Sequence, residues 1–295
     1  MANLKEIRTR IGSVKSTRKI TNAMKMVAAS KLKRAQDAVI NLRPYESKLH
    51  EILVSLVKSL ENEEIASNYL RNGKEDKVLL VVITSNKGLC GAFNSNIIKK
   101  AVELGQSKYA EQYKNGNLSY FTIGKKGTDF FQSKGYPVYG YNNDILEDIS
   151  FKNAFPVIRQ VMDSFLNKEF DKIEIIYNKF KNAAVQLLTV DQFLPVDLNM
   201  ENIEESTEQY NYIFEPSKEL IIQELIPNSL RTQFYEALLE SLAAEHGARM
   251  TAMHKATDNA TDMIKDLQLT YNKARQASIT NEILEVVSGA EALKE

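Results

Sequence analysis

Both ends of this chain carry long helical periodicity with almost no turn signal, and this limits the available folds more than any other feature. From about Ala2 to Leu60, apolar or small residues recur at Leu4, Ile7, Ile11 and Val14. They recur again at Ala28, Leu32, Ala35, Val39 and Leu42, and at Leu49, Leu53, Leu56 and Leu60. Steps of three and four describe one stripe along a helix. The same frame carries Arg18, Thr21 and Lys25, which interrupt the stripe, and Pro44 predicts a kink or a restart. At ~1.5 Å per residue such a helix runs roughly 85 Å, so much of it must project or pair with another helix. From Ser217 to about Ser288 the pattern is helical again. Ser217 reads as an N-cap, Pro227 as a kink or break and Gly289 as a stop. Alanine and glycine are dense in Ala243–Ala260, which favours close approach of helices. Two such helices at opposite ends of a chain can satisfy each other as an antiparallel coiled coil.

The middle has a different period. Glu61–Lys77 is polar, contains Asn72-Gly73 and reads as a linker. Val78–Thr84 is a continuous apolar, β-branched run, as in a strand buried on both faces. Helix is predicted over Asn94–Tyr113, Lys125–Lys134 and Phe151–Glu169. Strands are predicted over Leu118–Ile123, Pro137–Tyr141, Lys172–Phe180 and Ala184–Phe193. Met200–Pro216, with five glutamates and no basic residue, reads as an acidic loop that holds a short strand at Tyr210–Phe214. Strands alternating with helices define an α/β layer with a mainly parallel sheet. The expected fold class is therefore α/β plus long helices: a Rossmann-like α/β domain inserted between the helices of an antiparallel coiled coil. The expected divisions are 1–60, 77–214 and 217–290.

Enzyme motifs fail one by one. Lys87-Gly88-Leu89-Cys90-Gly91 lies between the first strand and a helix, where a phosphate-binding loop would sit, but its glycines are spaced GxxG rather than GxGxxG. Gly124-Lys125 fails as a P-loop, because Ser119 stands at the first glycine position and Lys126 follows the lysine. His246 and His254 are eight residues apart without a metalloprotease pattern, and His50 is remote from both. Cys90 is the one cysteine, which excludes an internal disulfide and a cysteine-based zinc site and fits a reducing compartment. A buried small thiol is the expected reading, since no histidine lies near it in sequence to activate it. No stretch reaches 18 consecutive apolar residues, and the first ten residues are too polar for a secretory signal. Neither a metal nor a cofactor is expected.

Charge is balanced overall, with 38 basic and 38 acidic residues, so only its distribution carries information. Residues 1–36 hold ten basic residues and the single acid Glu6. Such a helix can face nucleic acid, an anionic membrane or an acidic protein, or can simply be solvated. The charges go around the helix, and aromatics are absent before Tyr45, which disfavours a membrane surface. Met24, Met26, Val27, Ala28 and Ala29 lie among the cations, which suits a protein sleeve better than a phosphate backbone.

Three segments then carry a resemblance. Ile7 to Ile11, Ser13-Val14-Lys15 and Lys19 to Leu32 resemble the N-terminal signature of the gamma subunits of F-type rotary ATP synthases. Gly88 to Asn94 resembles that family's loop after the first strand. Glu245 to Met250, Ala256 to Ala260 and Tyr271 to Ile283 resemble its C-terminal signature. The matches fall at both ends and in the middle, in the family's order. The family usually has an acid where Asn86 stands, and the paired-cysteine insertion of chloroplast relatives is absent.

The resemblance implies a bacterial-type central-stalk rotor that has no catalytic residue of its own. It would pass the rotation of a proton-carrying c-ring to a ring of three alpha and three beta subunits, in synthesis and, reversed, in hydrolysis. Alpha, beta, epsilon and the c-ring would be its partners, with no nucleic acid. It would sit peripherally at the cytoplasmic face of the bacterial cell (inner) membrane. Carried over by position, Met24, Lys25 and Arg249 would lie near the beta lever loops, and Arg275, Gln276, Thr280 and Glu282 would meet the beta catch loops. Ile279, Ile283, Leu284, Val286 and Val287 would form the shaft tip, and Lys87 to Gly91 belong to the loop after the first strand. The alternative reading is a non-catalytic coiled-coil adaptor or scaffold.

Overall fold

In the computed structural model the described residues are 4–58, 69, 75–196 and 218–292. The elements in chain order are α1 (Leu4–Lys58), β1 (Val78–Ile83), α2 (Phe93–Gln106), α3 (Ala110–Lys114), β2 (Leu118–Ile123) and α4 (Lys125–Ser133). They continue with β3 (Val138–Asn142), α5 (Phe151–Leu166), β4 (Lys172–Phe180), β5 (Gln186–Leu194) and α6 (Lys218–Ala292). Two compact units result: residues 1–28 with 249–295, and residues 29–248.

The larger unit is organised by a five-stranded sheet of order β3-β2-β1-β4-β5. The first four strands are parallel, and β5 closes the edge antiparallel to β4. This is the 3-2-1-4 order of a Rossmann half with a hairpin added. The continuous apolar run of β1 is buried at all six positions because both faces of the sheet are covered. On one face Leu79, Val81 and Ile83 meet Val157, Ile158, Val161 and Phe165 of α5. On the other, Val78, Leu80 and Val82 meet Phe93, Ile97 and Ala101 of α2, with Phe131 of α4.

The first turns of α6 are a layer of this same body. Ile226, Leu230, Phe234, Ala237 and Leu238, spaced by three and four, enter the core that α5 covers, and the Phe234 ring meets Phe193 edge-on with centroids 5.4 Å apart. On α1, Leu32, Ala35, Val39 and Leu49 are buried within the larger unit.

In the smaller unit, Ile7, Thr21 and Ala28 of α1 and Met253, Ala260 and Ile264 of α6 are the buried seam. Thr21 fills the gap in the apolar stripe, with its hydroxyl 2.8 Å from that of Thr257. Each hydroxyl also bonds a carbonyl of its own helix, Thr21 that of Arg18 at 3.1 Å and Thr257 that of Met253 at 2.8 Å, so the polar pair is satisfied within the seam.

Five local expectations are corrected. α1 continues through Pro44 and α6 through Pro227, so neither proline restarts or ends its helix. Tertiary packing holds a helix together across a proline where propensity alone breaks it. α6 also continues past Gly289 to Ala292. The helix predicted over Asn94–Tyr113 is two, because the chain turns at Ser107 so that Tyr109 can be buried. Gly247 does not serve helix pairing in the expected way. A Cβ there would lie 3.2 Å from the Phe180 ring and 3.3 Å from Ala183 Cα, so the close approach is to the β4–β5 hairpin. Ser217 and the strand expected at 210–214 lie outside the described residues.

Candidate functional site

The start of α4, the helix that follows β2, is capped by the chain itself. Three consecutive residues after β1 use up the free N–H groups at the start of α4. Thr84 Oγ1 accepts from the Gly127 amide at 2.9 Å, the Ser85 carbonyl from Lys126 at 3.1 Å and Asn86 Oδ1 from Lys125 at 2.9 Å. A phosphate needs such amides unengaged. Gly124, at φ +98, makes the approach possible, since a Cβ there would lie 2.3 Å from the Thr84 carbonyl oxygen. Asn86 also donates through Nδ2 to the Asn143 carbonyl at 2.8 Å. The amide therefore both gives and accepts, which an acid at this position could not do when ionised.

The loop Lys87–Gly91 follows. Ser85 Oγ donates to the Lys87 carbonyl at 2.7 Å, and Asn94 Nδ2 donates to Ser85 Oγ at 2.8 Å and approaches Cys90 Sγ at 3.3 Å. Cys90 is buried, as the sequence predicts. Leu89 beside it is left-handed, at φ +64, and 64 % exposed. A non-glycine residue held in that conformation with its apolar side chain in solvent is strained, and the anchored residues around it hold it there. Lys87 and Gly91 are exposed and Gly88 is half-buried.

In the smaller unit the predicted contacts lie on the paired helices. Met24, Lys25 and Arg249 are half-buried. Arg275, Gln276, Thr280 and Glu282 are exposed on α6. Ile279, Ile283, Leu284, Val286 and Val287 are exposed together, with Val286 at 72 %. Ile20, Met26 and Val27 are exposed among the cations of α1. Arg8, Arg10, Lys15, Arg18, Lys19, Lys25, Lys31 and Arg34 form no ion pair among the described residues, whereas Lys33 is paired with Asp37. Cations in the first turns also oppose the helix dipole. These charges therefore do not serve the stability of the chain itself. Among the described residues no group of His, Cys, Asp and Glu could hold a metal ion, and no helix is long and apolar enough to cross a membrane.

Sequence reasoning missed Glu240. It is 1 % exposed on α6 and uses both carboxylate oxygens, one toward Arg43 of α1 and one toward the Phe180 amide of β4. The available signal was an acid at a stripe position, between Ala237 and Ala244.

Paired helices together with a Rossmann-type α/β unit are the architecture of a stalk subunit of a rotary ATPase. The central stalk of the Tetrahymena thermophila mitochondrial ATP synthase shares it, with a TM-score of 0.59 and 28 % identity over 80 % of this chain and 99 % of that one. A chain of the Euglena gracilis mitochondrial enzyme shares the fold at a TM-score of 0.66 and 22 % identity, over 98 % of this chain and 94 % of that one. The chain belongs to the ATP synthase family, whose description matches residues 3–293. It is 54 % identical to the ATP synthase gamma chain of Flavobacterium johnsoniae over 99 % of both chains. It is 43 % identical to that of a Geobacter species over the full length of both. Its role is that of the central stalk, and it is part of the ATP synthase complex.

Proposed function

We propose that this chain turns as a rotor inside a ring of three alpha and three beta subunits and has no catalytic residue of its own. The observation that carries the reading is the split in its surface chemistry. The N–H groups at the start of α4 are taken up by Thr84, Ser85 and Asn86, while unpaired cations and exposed aliphatic residues are concentrated on the paired helices. The asymmetric helix pair contacts each beta subunit differently, so the three sites differ in nucleotide affinity at any instant. Rotation then moves each site through its states by differential contact energy. Met24, Lys25 and Arg249 face the beta lever loops. Arg275, Gln276, Thr280 and Glu282 meet the catch loops. Ile279, Ile283, Leu284 and Val287 turn in an apolar collar, and Lys87 to Gly91 form a further contact.

In this reading the three divisions 1–60, 77–214 and 217–290 share the labour. The two helical ones form the shaft, and the α/β one faces epsilon and the proton-carrying c-ring. The complex places the chain peripherally at the cytoplasmic face of the bacterial cell membrane. Co-expression with the alpha and beta subunits of the same genome tests the reading. The expected result is a stable complex with one copy of this chain and strong ATP hydrolysis that is lost without it. A chain that folds but does not assemble overturns it and returns the reading to a coiled-coil adaptor.

A further inference from the structure

Glu240, Ala244 and Gly247 lie at i, i+4 and i+7 on α6, and so on one face of the helix. That face meets the end of β4 and the hairpin after it. Glu240 Oε2 accepts from the Phe180 amide at 2.9 Å, and its Oε1 accepts from Arg43 Nη2 of α1 at 3.0 Å. Ala244 is fully buried in the core beneath β1 and α2. Gly247 removes the one side-chain carbon that would push against the Phe180 ring and the Ala183 backbone. One carboxylate thus ties three parts of the larger unit together: α1, α6 and the end of β4.

The chemistry of this contact is not what stability alone favours. Glu240 gives up its hydration while the Arg43 side chain stays 53 % exposed, and a buried charge is often replaceable by well-packed apolar residues without loss of stability. Apolar contact is non-directional and resists sliding weakly. A hydrogen bond weakens steeply when its angle is lost, so a pair aimed at a backbone amide resists tangential displacement. Seating the hairpin against a helix position without a Cβ adds a steric stop. Resistance to shear is the property needed where one body turns another.

We infer that Glu240, held between Arg43 and the Phe180 amide over the Gly247 seat, is the joint through which torque passes between the sheet and the stretches of α1 and α6 that pack with it in the larger unit. This rests on the rotor reading above and names where its stiffness resides. Glu240, Arg43 and Gly247 are positioning residues, since none of them touches nucleotide.

The test uses the alpha–beta–gamma complex fixed by its ring, with a probe attached at the exposed Lys114→Cys position of the α/β body. Thermal fluctuation of the probe angle is recorded with hydrolysis arrested by bound inhibitor. Glu240→Ala is expected to raise the angular variance by about twofold, since it removes both directional contacts. Glu240→Gln, which keeps an acceptor for Phe180 but loses the charge, should fall between the two. ATP hydrolysis without load should stay at the unsubstituted level. An unchanged variance in an assembled Glu240→Ala complex overturns the proposal. If that variant does not assemble, Glu240→Gln and Arg43→Ala decide, and equal variance in both overturns it. Failure of the rotor reading itself looks different: the unsubstituted chain would then give no rotating, hydrolysing complex.

Discussion

The α/β body and the tip of the paired helices come from the same chain and use its residues in opposite ways. In the body, β1, β2 and β4 are sealed on both faces, and even Thr84, Ser85 and Thr122 are buried with partners. In the tip, a short seam from Ile7 to Ala28 and from Met253 to Ile264 is all that is covered, and aliphatic residues from Ile279 to Val287 stand in solvent. Monomeric proteins rarely leave such residues grouped and exposed. The difference teaches where burial is complete: the body closes its own core, whereas the tip leaves its aliphatic residues in solvent.

Glycines give the widest test of that contrast. Gly124→Ala puts a Cβ 2.3 Å from a backbone oxygen at a residue with φ +98. The expected loss is ~3 kcal/mol or more, seen as failure to recover folded full-length chain. Gly289→Ala, with open space around it on a helix, is expected to stabilise by up to ~1 kcal/mol. Similar unfolding midpoints for the two variants would erase the contrast.

A smaller but more telling effect is expected from Arg275→Ala combined with Gln276→Ala. Both positions are exposed, so the unfolding midpoint should not move, while hydrolysis by the assembled complex should fall by about tenfold, the scale of losing one interface hot spot. Unchanged turnover would remove these residues from the rotor surface.

The smallest effect concerns Glu236, half-buried one turn before Glu240. Its carboxyl is pushed above the usual 4.5 by burial first, then by the Glu46 and Glu240 carboxylates, with Lys179 and Arg43 opposing. A raised carboxyl is easier to ionise in the unfolded chain. The ionised form therefore destabilises the fold at neutral pH, and the penalty is relieved as pH falls through the folded value toward 4.5. Glu236→Gln should raise the unfolding midpoint at pH 7 and lose that advantage in acid. An advantage independent of pH would contradict this origin.

Much of the fold was legible because its signals are local. The period of three and four announces α1 and α6 without reference to anything distant. The β-branched run at Val78–Thr84 gives a buried strand, and Leu118–Ile123 and Lys172–Phe180 coincide with β2 and β4. At Ser107 the burial of Tyr109 overrides local preference, whereas at Gly289, with open space around it, the helix simply runs three residues further. Of the candidate site, the sequence could place residues on elements and report their charge. It could not report that the helix start after Gly124 is already occupied, because that depends on Thr84 and Asn86 reaching residues about forty positions away.

The sequence by itself determined two helical ends, a parallel α/β middle and kinship with rotary ATP synthases. Periodicity, strand composition and signature residues are properties of short stretches read one at a time. Only the tertiary structure decided that α6 doubles as a layer of the α/β core. It also decided that Gly247 seats a hairpin and that Glu240 joins α1 and β4 across 197 and 60 residues of chain. Those pairings depend on which faces meet when the layers close, and burial then gives a single carboxylate its weight by leaving it no water to turn to.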